Sequence, residues 1–303
     1  MPMERLTLTV LDELESEAIH IIREVAAEFE RPVMMYSIGK DSSVMLNLAL
    51  KAFAPGPIPF PLQHIDTGYK FPEMVSFRNQ IAEKFGVDLK VHCSWVENNY
   101  SSNPWDLGTV RCCNLLKTQG LLNSLQKGGY DAVIGGARRE EERSRAKERI
   151  FSFRDAHGQW EPRRQRPEFW SLYNSRLHEG ESMRIFPLSN WTELDIWHYI
   201  LQEKIDVVPL YFAAEREIIE RSGQLIPVGK GTRLQPGETV EKRFCRFRTL
   251  GCYPCTGAVP STATTVKEII AELELTRLSE RTTRIIDHDQ DVSMERKKRE
   301  GYF

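Results

Sequence analysis

The run Pro32-Val33-Met34-Met35-Tyr36, together with the loop and helix behind it, constrains this chain most. Five successive apolar residues suit a strand covered on both faces. They lead directly into Ser37-Ile38-Gly39-Lys40-Asp41-Ser42-Ser43, and from Ser42 to Phe53 the apolar residues return at helical spacing. A buried strand feeding a helix through a short loop of small residues is half of a βαβ unit, which belongs to a parallel sheet. The pattern recurs. Strand-like runs at Pro61–Ile65, Leu89–Val91 and Asp131–Ile134 alternate with helical spacing over Met74–Phe85 and Leu115–Leu125, and a further helix precedes them at Glu13–Phe29. The expectation is an α/β fold with a doubly wound parallel sheet.

The loop carries chemistry. Its small residues let backbone N–H groups turn toward an anion, and the helix N-terminus behind them adds partial positive charge. Lys40 adds a full charge, and the Ser37, Ser42 and Ser43 hydroxyls can donate to phosphate oxygens. Asp41 would repel phosphate unless it binds a cation or caps the helix. The bland alternative is a plain strand–helix turn with Ser/Asp capping. It is not the Walker loop, because Gly-Lys-Ser/Thr is missing.

Past Gly136 the texture changes. Arg138, Arg139, Arg143, Arg145, Lys147 and Arg149 crowd the region after the fourth strand, the end at which doubly wound sheets bind ligands. Arginine's planar fork suits sulfate and phosphate, although the interleaved Glu140, Glu141, Glu142 and Glu148 also fit a solvated, ion-paired helix. Trp191–Glu203 reads as a helix opened by Thr192 with Asp195 three residues on. Gln224–Glu238 is rich in Gly and Pro, and a last helix is predicted over Val266–Ser279. The division expected is 1–207 for the α/β part and 208–303 for an all-helical or irregular extension ending in the basic run Arg296-Lys297-Lys298-Arg299. Trp191, Trp197 and Tyr199 read as packing residues, His64 as structural; Arg246 and Arg248 stay open between phosphate contact and exposed face.

Composition excludes whole classes. With 303 residues, 41% hydrophobic and 28% charged, the chain is neither disordered nor a small disulfide scaffold. Formal net charge is -2, so it is not a basic nucleic-acid coat. No apolar run approaches the roughly 18 residues that span a bilayer, and Met1–Asp12 has no secretory pattern. A cytoplasmic protein with reduced or metal-bound cysteines is expected.

The motif SIGKDSS (37–43) resembles the pyrophosphatase loop, Ser-Gly-Gly-x-Asp-Ser, of the adenine-nucleotide α-hydrolase-like superfamily, with Ile38 in place of the first glycine. HIDTGYKFPEM (64–74), GGARREEERSRAKERIFSFRD (135–155), RIFPLSNWTELDIWHYI (184–200), FRTLGCYPCTGAV (247–259) and KKREGYF (297–303) resemble, in order, the small ATP-binding subunits of bacterial sulfate adenylyltransferase, relatives of the PAPS reductases. The resemblance implies that ATP is cut between its α and β phosphates with Mg²⁺, and that sulfate takes the adenylyl group. It implies catalytic roles for Lys40, Asp41, Arg138 and Arg139, and nucleotide binding by Ser37, Gly39, Lys40, Asp41, Ser42, Ser43, Asp66 and Gly68. It also implies an oligomer with a larger GTPase subunit, since adenylylsulfate formation runs uphill and this chain carries no GTPase motif. Such a site holds two anions; unit charges about 4 Å apart repel by about 4 kcal/mol at an effective dielectric of about 20, so fixed cations are needed.

Among six cysteines, Cys112-Cys113 and Cys252-Tyr253-Pro254-Cys255 depart from the sulfurylase pattern. Arg111–Lys117 instead resembles the Cys-Cys segment of adenylylsulfate reductases, which pair it with a distant C-x-x-C around a [4Fe–4S] cluster. Zinc would take the same four ligands, and buried incidental thiols are the bland alternative. A reductase is not expected, because the attacking Glu-Cys-Gly cysteine is absent. The alternative function is sulfur insertion by a cluster-bearing ATP pyrophosphatase, as in DNA phosphorothioation, with a cysteine desulfurase and DNA-modification proteins as partners. Intact Lys40 and Asp41 argue against a merely nucleotide-sensing subunit.

Overall fold

The computed structural model describes residues 9–97, 102–141, 147–221, 223–229 and 231–275. Arg143, Arg145, residues 276–279 of the last predicted helix, the basic run 296–299 and the closing motif 297–303 lie outside the described residues.

The chain opens with α1 (Val10–Glu28), which starts one turn earlier than its apolar spacing suggests. The cause is a capping box: the Thr9 hydroxyl accepts from the Asp12 amide, and the Asp12 carboxylate accepts from the Thr9 amide. Its apolar face buries Ala18, Ile21, Ile22 and Val25. Then come β1 (Pro32–Met35), α2 (Lys40–Phe53), β2 (Leu62–Asp66), α3 (Pro72–Phe85), β3 (Leu89–Cys93) and the single turn α4 (Ser94–Glu97). Next are α5 (Pro104–Cys113), a π-helical stretch at Asn114–Gln119, α6 (Gly120–Gly128), β4 (Ala132–Ile134), β5 (Phe151–Arg154), β6 (Ser182–Ile185) and α7 (Glu193–Glu203).

These strands form one sheet in the order β3-β2-β1-β4-β6-β5. All neighbours run parallel except β5 against β6. The chain winds outward from β1 through β2 to β3, then crosses to β4 on the other side of β1. The loops leaving β1 and β4 therefore diverge, and this switch point is where a doubly wound sheet takes its ligand. The expected α/β class is observed.

Strands β5 and β6 carried no strand signal because each places an arginine in the interior. Arg154 donates to Glu148 Oε1 at 2.7 Å, and Ser152 Oγ donates to the same oxygen at 3.1 Å. Burial, and then the neighbouring Arg154, pushes Arg184 down to about 9. Buried charges persist only in such paired sets.

The extension corrects the expectation of an all-helical or irregular segment. It forms a second, antiparallel sheet in the order β10-β9-β7-β8, from β7 (Ala214–Arg221), β8 (Gln224–Pro227), β9 (Glu241–Arg246) and β10 (Val259–Pro260). Among the described residues, only α8 (Val266–Leu275) is a long helix there. β7 reads AEREIIER, whose charges mask its pairing; Ile218 and Ile219 are buried while most flanking charges stay in solvent. The core is continuous: Ile218, Leu225, Cys245 and Phe247 pack in one cluster with Ala18, Met34 and Val44.

Candidate active site

The loop after β1 is built around one strained residue. Ile38, fully buried, sits at φ 69°, a left-handed conformation that β-branched side chains rarely adopt. This is the position of the first glycine in the resembled loop, so the backbone shape persists without the residue that makes it easy. Such strain concentrates at ligand-binding turns.

Gly39 is the N-cap of α2 and has no side chain to satisfy the helix amides. The Lys40 amide donates instead to the Tyr211 hydroxyl at 2.8 Å, so a residue from beyond α7 seats the loop. Ser42 Oγ donates to the Gly39 carbonyl at 2.9 Å, and Ser37 Oγ lies 3.3 Å from Ser42 Oγ. The Ser43 amide donates to the Gly39 carbonyl.

Asp41 is held by two cations. Lys40 Nζ lies 3.3 Å from its Oδ2, and Arg138 Nε donates to its Oδ1 at 2.7 Å. Arg138 also donates to Glu140 at 3.0 Å; Glu140 in turn accepts from the Glu193 amide at 2.6 Å, and the Glu193 carboxylate accepts from Arg248 at 2.6 Å. Arg138 and Arg248 are both buried. One charge chain therefore runs from the loop through the end of β4 and the start of α7 to the segment after β9. Arg248 is therefore not on an exposed face, and it does not line the switch-point cavity: it is buried against Glu193.

A cavity of about 230 Å³ opens at the switch point. Ser37, Gly39, Lys40, Asp41 and Ser42 form one wall; Gly135, Gly136 and Ala137 after β4 form another. A Cβ at Gly136 would come 3.3 Å from that of Asp41, so the glycine permits a close approach. His64, Ile65 and Lys70 close the β2 side, Lys117 and Leu121 the α6 side, and Tyr211, Thr249 and Leu250 come from the extension. Burial, then the Lys70 charge, pushes His64 down to about 3. Its Nδ1 lies 2.8 Å from the Tyr36 carbonyl, an acceptor, so Nδ1 carries the proton.

Several anticipated residues stand elsewhere. Arg138 braces Asp41 rather than lining the cavity. Arg139 turns to the Asn190 side chain and the Glu148 carbonyl. Asp66 accepts from the Gly68 amide at 2.9 Å and lies 3.6 Å from Arg78, which makes Asp66-Thr67-Gly68 a turn beside the cavity, not a wall of it. At Gly68 (φ +77°) any Cβ would press on the Trp95 ring at 3.0 Å. Lys70, Lys117, Tyr211 and Thr249 had no sequence signal as site residues. Trp191 and Trp197 are core, each edge-on to a tyrosine.

A second, smaller cavity of about 40 Å³ lies alongside and shares Lys117, Thr249 and Leu250 with the first. Cys112, Cys113, Cys252 and Cys255 all line it. The two halves of the cysteine set, 139 residues apart from Cys113 to Cys252, thus meet at one place. Burial, then Cys252 and Cys113, pushes the Cys112 thiol up to about 12; burial and the same neighbours push Cys255 up as well. Thr67 Oγ1 lies 3.0 Å from Cys252 Sγ. Among the described residues, no group of three or more His, Cys, Asp or Glu converges as a ready site for a metal ion.

The phosphoadenosine phosphosulfate reductase domain family matches residues 31–258. Sulfate adenylyltransferase subunit 2 of Hahella chejuensis is 59% identical over 297 residues, covering 98% of this chain and 98% of that protein. Its counterpart in Myxococcus xanthus is 59% identical, covering 97% and 96%. Among solved structures, Candida glabrata FMN adenylyltransferase with ATP aligns at a TM-score of 0.49 and 15% identity, over 76% of this chain and 72% of that one. A domain match over most of the length, and near-complete relatives at this identity, mean that the chain belongs to the phosphoadenosine phosphosulfate reductase domain family, among the sulfate adenylyltransferase subunit 2 proteins.

Proposed function

We propose that this chain is the ATP-cleaving subunit of a sulfate adenylyltransferase. The observation that carries this is the near-complete match, at 59% identity, to proteins of that name. It favours sulfate adenylylation over sulfur insertion into DNA, to which the cysteine set alone points.

In this reaction a sulfate oxygen attacks the α-phosphorus of ATP. The new S–O–P bond forms as the bond to the β-phosphate oxygen breaks, and pyrophosphate leaves with that electron pair. No protein nucleophile is required. The loop amides and the Ser37 and Ser42 hydroxyls bind the departing phosphates at the N-terminus of α2, whereas Ser43, expected beside them, is buried and does not line the cavity. Lys40 balances their charge, Asp41 orients Lys40, and Arg138 positions Asp41. Gly39 and Gly136 let the nucleotide approach the backbone. Arg139, Asp66 and Gly68 act, in this reading, by shaping loops at the rim. Mg²⁺, delivered with ATP, would meet the Asp41 carboxylate and neutralise the leaving pyrophosphate.

Functionally, 1–207 supplies the phosphate loop and 208–303 supplies Tyr211, Thr249 and the C-x-x-C. Cys112, Cys113, Cys252 and Cys255 are an all-sulfur donor set around one cavity, which suits a [4Fe–4S] cluster or zinc. The name "subunit 2" borne by the relatives supports a second subunit; in our reading it is the larger one, a GTPase that drives the uphill step. Among the described residues no helix is long and apolar enough to cross a membrane, and six free thiols suit the cytoplasm. The test is sulfate-dependent exchange of pyrophosphate into ATP by the two-subunit complex. Exchange that needs no sulfate would refute the reading.

A further inference from the structure

We infer that Lys70 is the cation that holds the oxyanion acceptor beside the nucleotide. The inference rests on the proposed function, which requires sulfate and the triphosphate to occupy one cavity together.

Two anions in one cavity need separate cations. The charges near the phosphate loop are already engaged. Lys40 lies against Asp41, and the Arg138 fork is shared between Asp41 and Glu140. Lys70 lines the same cavity from its β2 side. It is half-buried and makes no ion pair or hydrogen bond with any described residue. Asp66, on the same loop, faces the Gly68 amide and Arg78. The same cavity is lined by the Glu141 carboxylate and by Lys117, but Lys70 has no ion-pair partner among the described residues, so its charge is open to an arriving anion. A compact ammonium with three donors suits a tetrahedral anion approached from one side.

The lysine is also held in place. Its backbone pairs with Cys252, and the Tyr253 amide donates to the Tyr69 carbonyl at 2.9 Å. The C-x-x-C turn thus fixes the wall from which Lys70 projects. Neighbouring His64 is neutral, its Nδ1–H occupied by the Tyr36 carbonyl, so it adds no competing positive charge. The phosphates have their own seat at the N-terminus of α2, which leaves Lys70 for the acceptor.

The experiment compares wild type, Lys70→Met and Lys70→Arg in sulfate-dependent ATP–pyrophosphate exchange, each chain assembled with its larger subunit. Loss of one charge-assisted contact should raise the sulfate KM of Lys70→Met about 10- to 100-fold, with the ATP KM within about twofold and an unchanged thermal midpoint. Lys70→Arg should recover much of the sulfate affinity. An unchanged sulfate KM overturns the assignment. So does a rise confined to ATP and pyrophosphate, which would make Lys70 a phosphate ligand. Absence of sulfate-dependent exchange in the wild-type complex removes the functional reading itself, and the assignment with it.

Discussion

The two adjoining cavities are assembled in opposite ways. The larger cavity has one wall from a contiguous stretch, Tyr36 to Ser42, whose strand, loop and helix are neighbours in the chain. The thiol cavity is made of remote pieces: Cys112-Cys113 at the end of α5 and Cys252–Cys255 after β9. The first is charged and polar, with each of its central charges paired. The second is lined by four thiols, and burial, then the neighbouring sulfurs, makes Cys112 and Cys255 harder to ionise. Both cavities take walls from the extension, but the first keeps one continuous loop as its seat, whereas the second exists only where remote segments meet.

The largest expected effect separates the cavities by chemistry. Lys40→Ala or Asp41→Ala should lower ATP turnover at least about 100-fold, while any metal bound by the thiols stays at wild-type stoichiometry. Exchange kinetics beside metal analysis read both; a fully active variant would remove the loop from the mechanism. The reciprocal change is Cys112→Ser or Cys255→Ser. If wild-type protein purified without oxygen carries iron and sulfide, or zinc, the variant should lose it while ATP affinity stays within about twofold. Wild-type protein that contains neither metal would reduce the thiol cavity to packing.

A smaller effect sharpens the comparison through pH. His64 is protonated at about 6.5 in an unfolded chain but only near 3 when folded. Its folded pKa is the lower one, so the unfolded state binds the extra proton. Stability is therefore full above about pH 7 and falls by up to about 1.4 kcal/mol per unit as pH drops toward 3. Urea titrations at pH 7 and 5 should show this loss, and His64→Gln should flatten it. An unchanged slope in that variant would assign the acid lability to other groups. The smallest effect lies far from both cavities. Thr9→Ala removes the capping box of α1 and should cost about 1 kcal/mol, with exchange kinetics and metal content unaltered.

Much of the cavity's loop wall was legible because its signals are local: an apolar run, small residues, Lys40, and helical spacing that begins at once. Arg138 was expected to meet an anion, and its actual partners were not legible. Only the folded chain turns its fork onto Asp41, 97 residues earlier. Tyr211 gave no signal in the sequence, yet its hydroxyl takes the first amide of α2. The second sheet was hidden because alternating charge on β7 and β9 masks a period of two when a strand meets solvent on one face. β5 and β6 were hidden by arginines that a buried partner makes tolerable.

Periodicity and local propensity, which act over a few residues, determined the parallel sheet, the helix after β1 and the anion-seeking loop between them. Tertiary structure alone decided what those elements face. It joined four thiols across 139 residues, sent Arg139 away from the cavity, and brought Lys70 to its open wall. Such placements depend on long-range packing and on the pairing of charges across elements, and neither leaves a period in the chain.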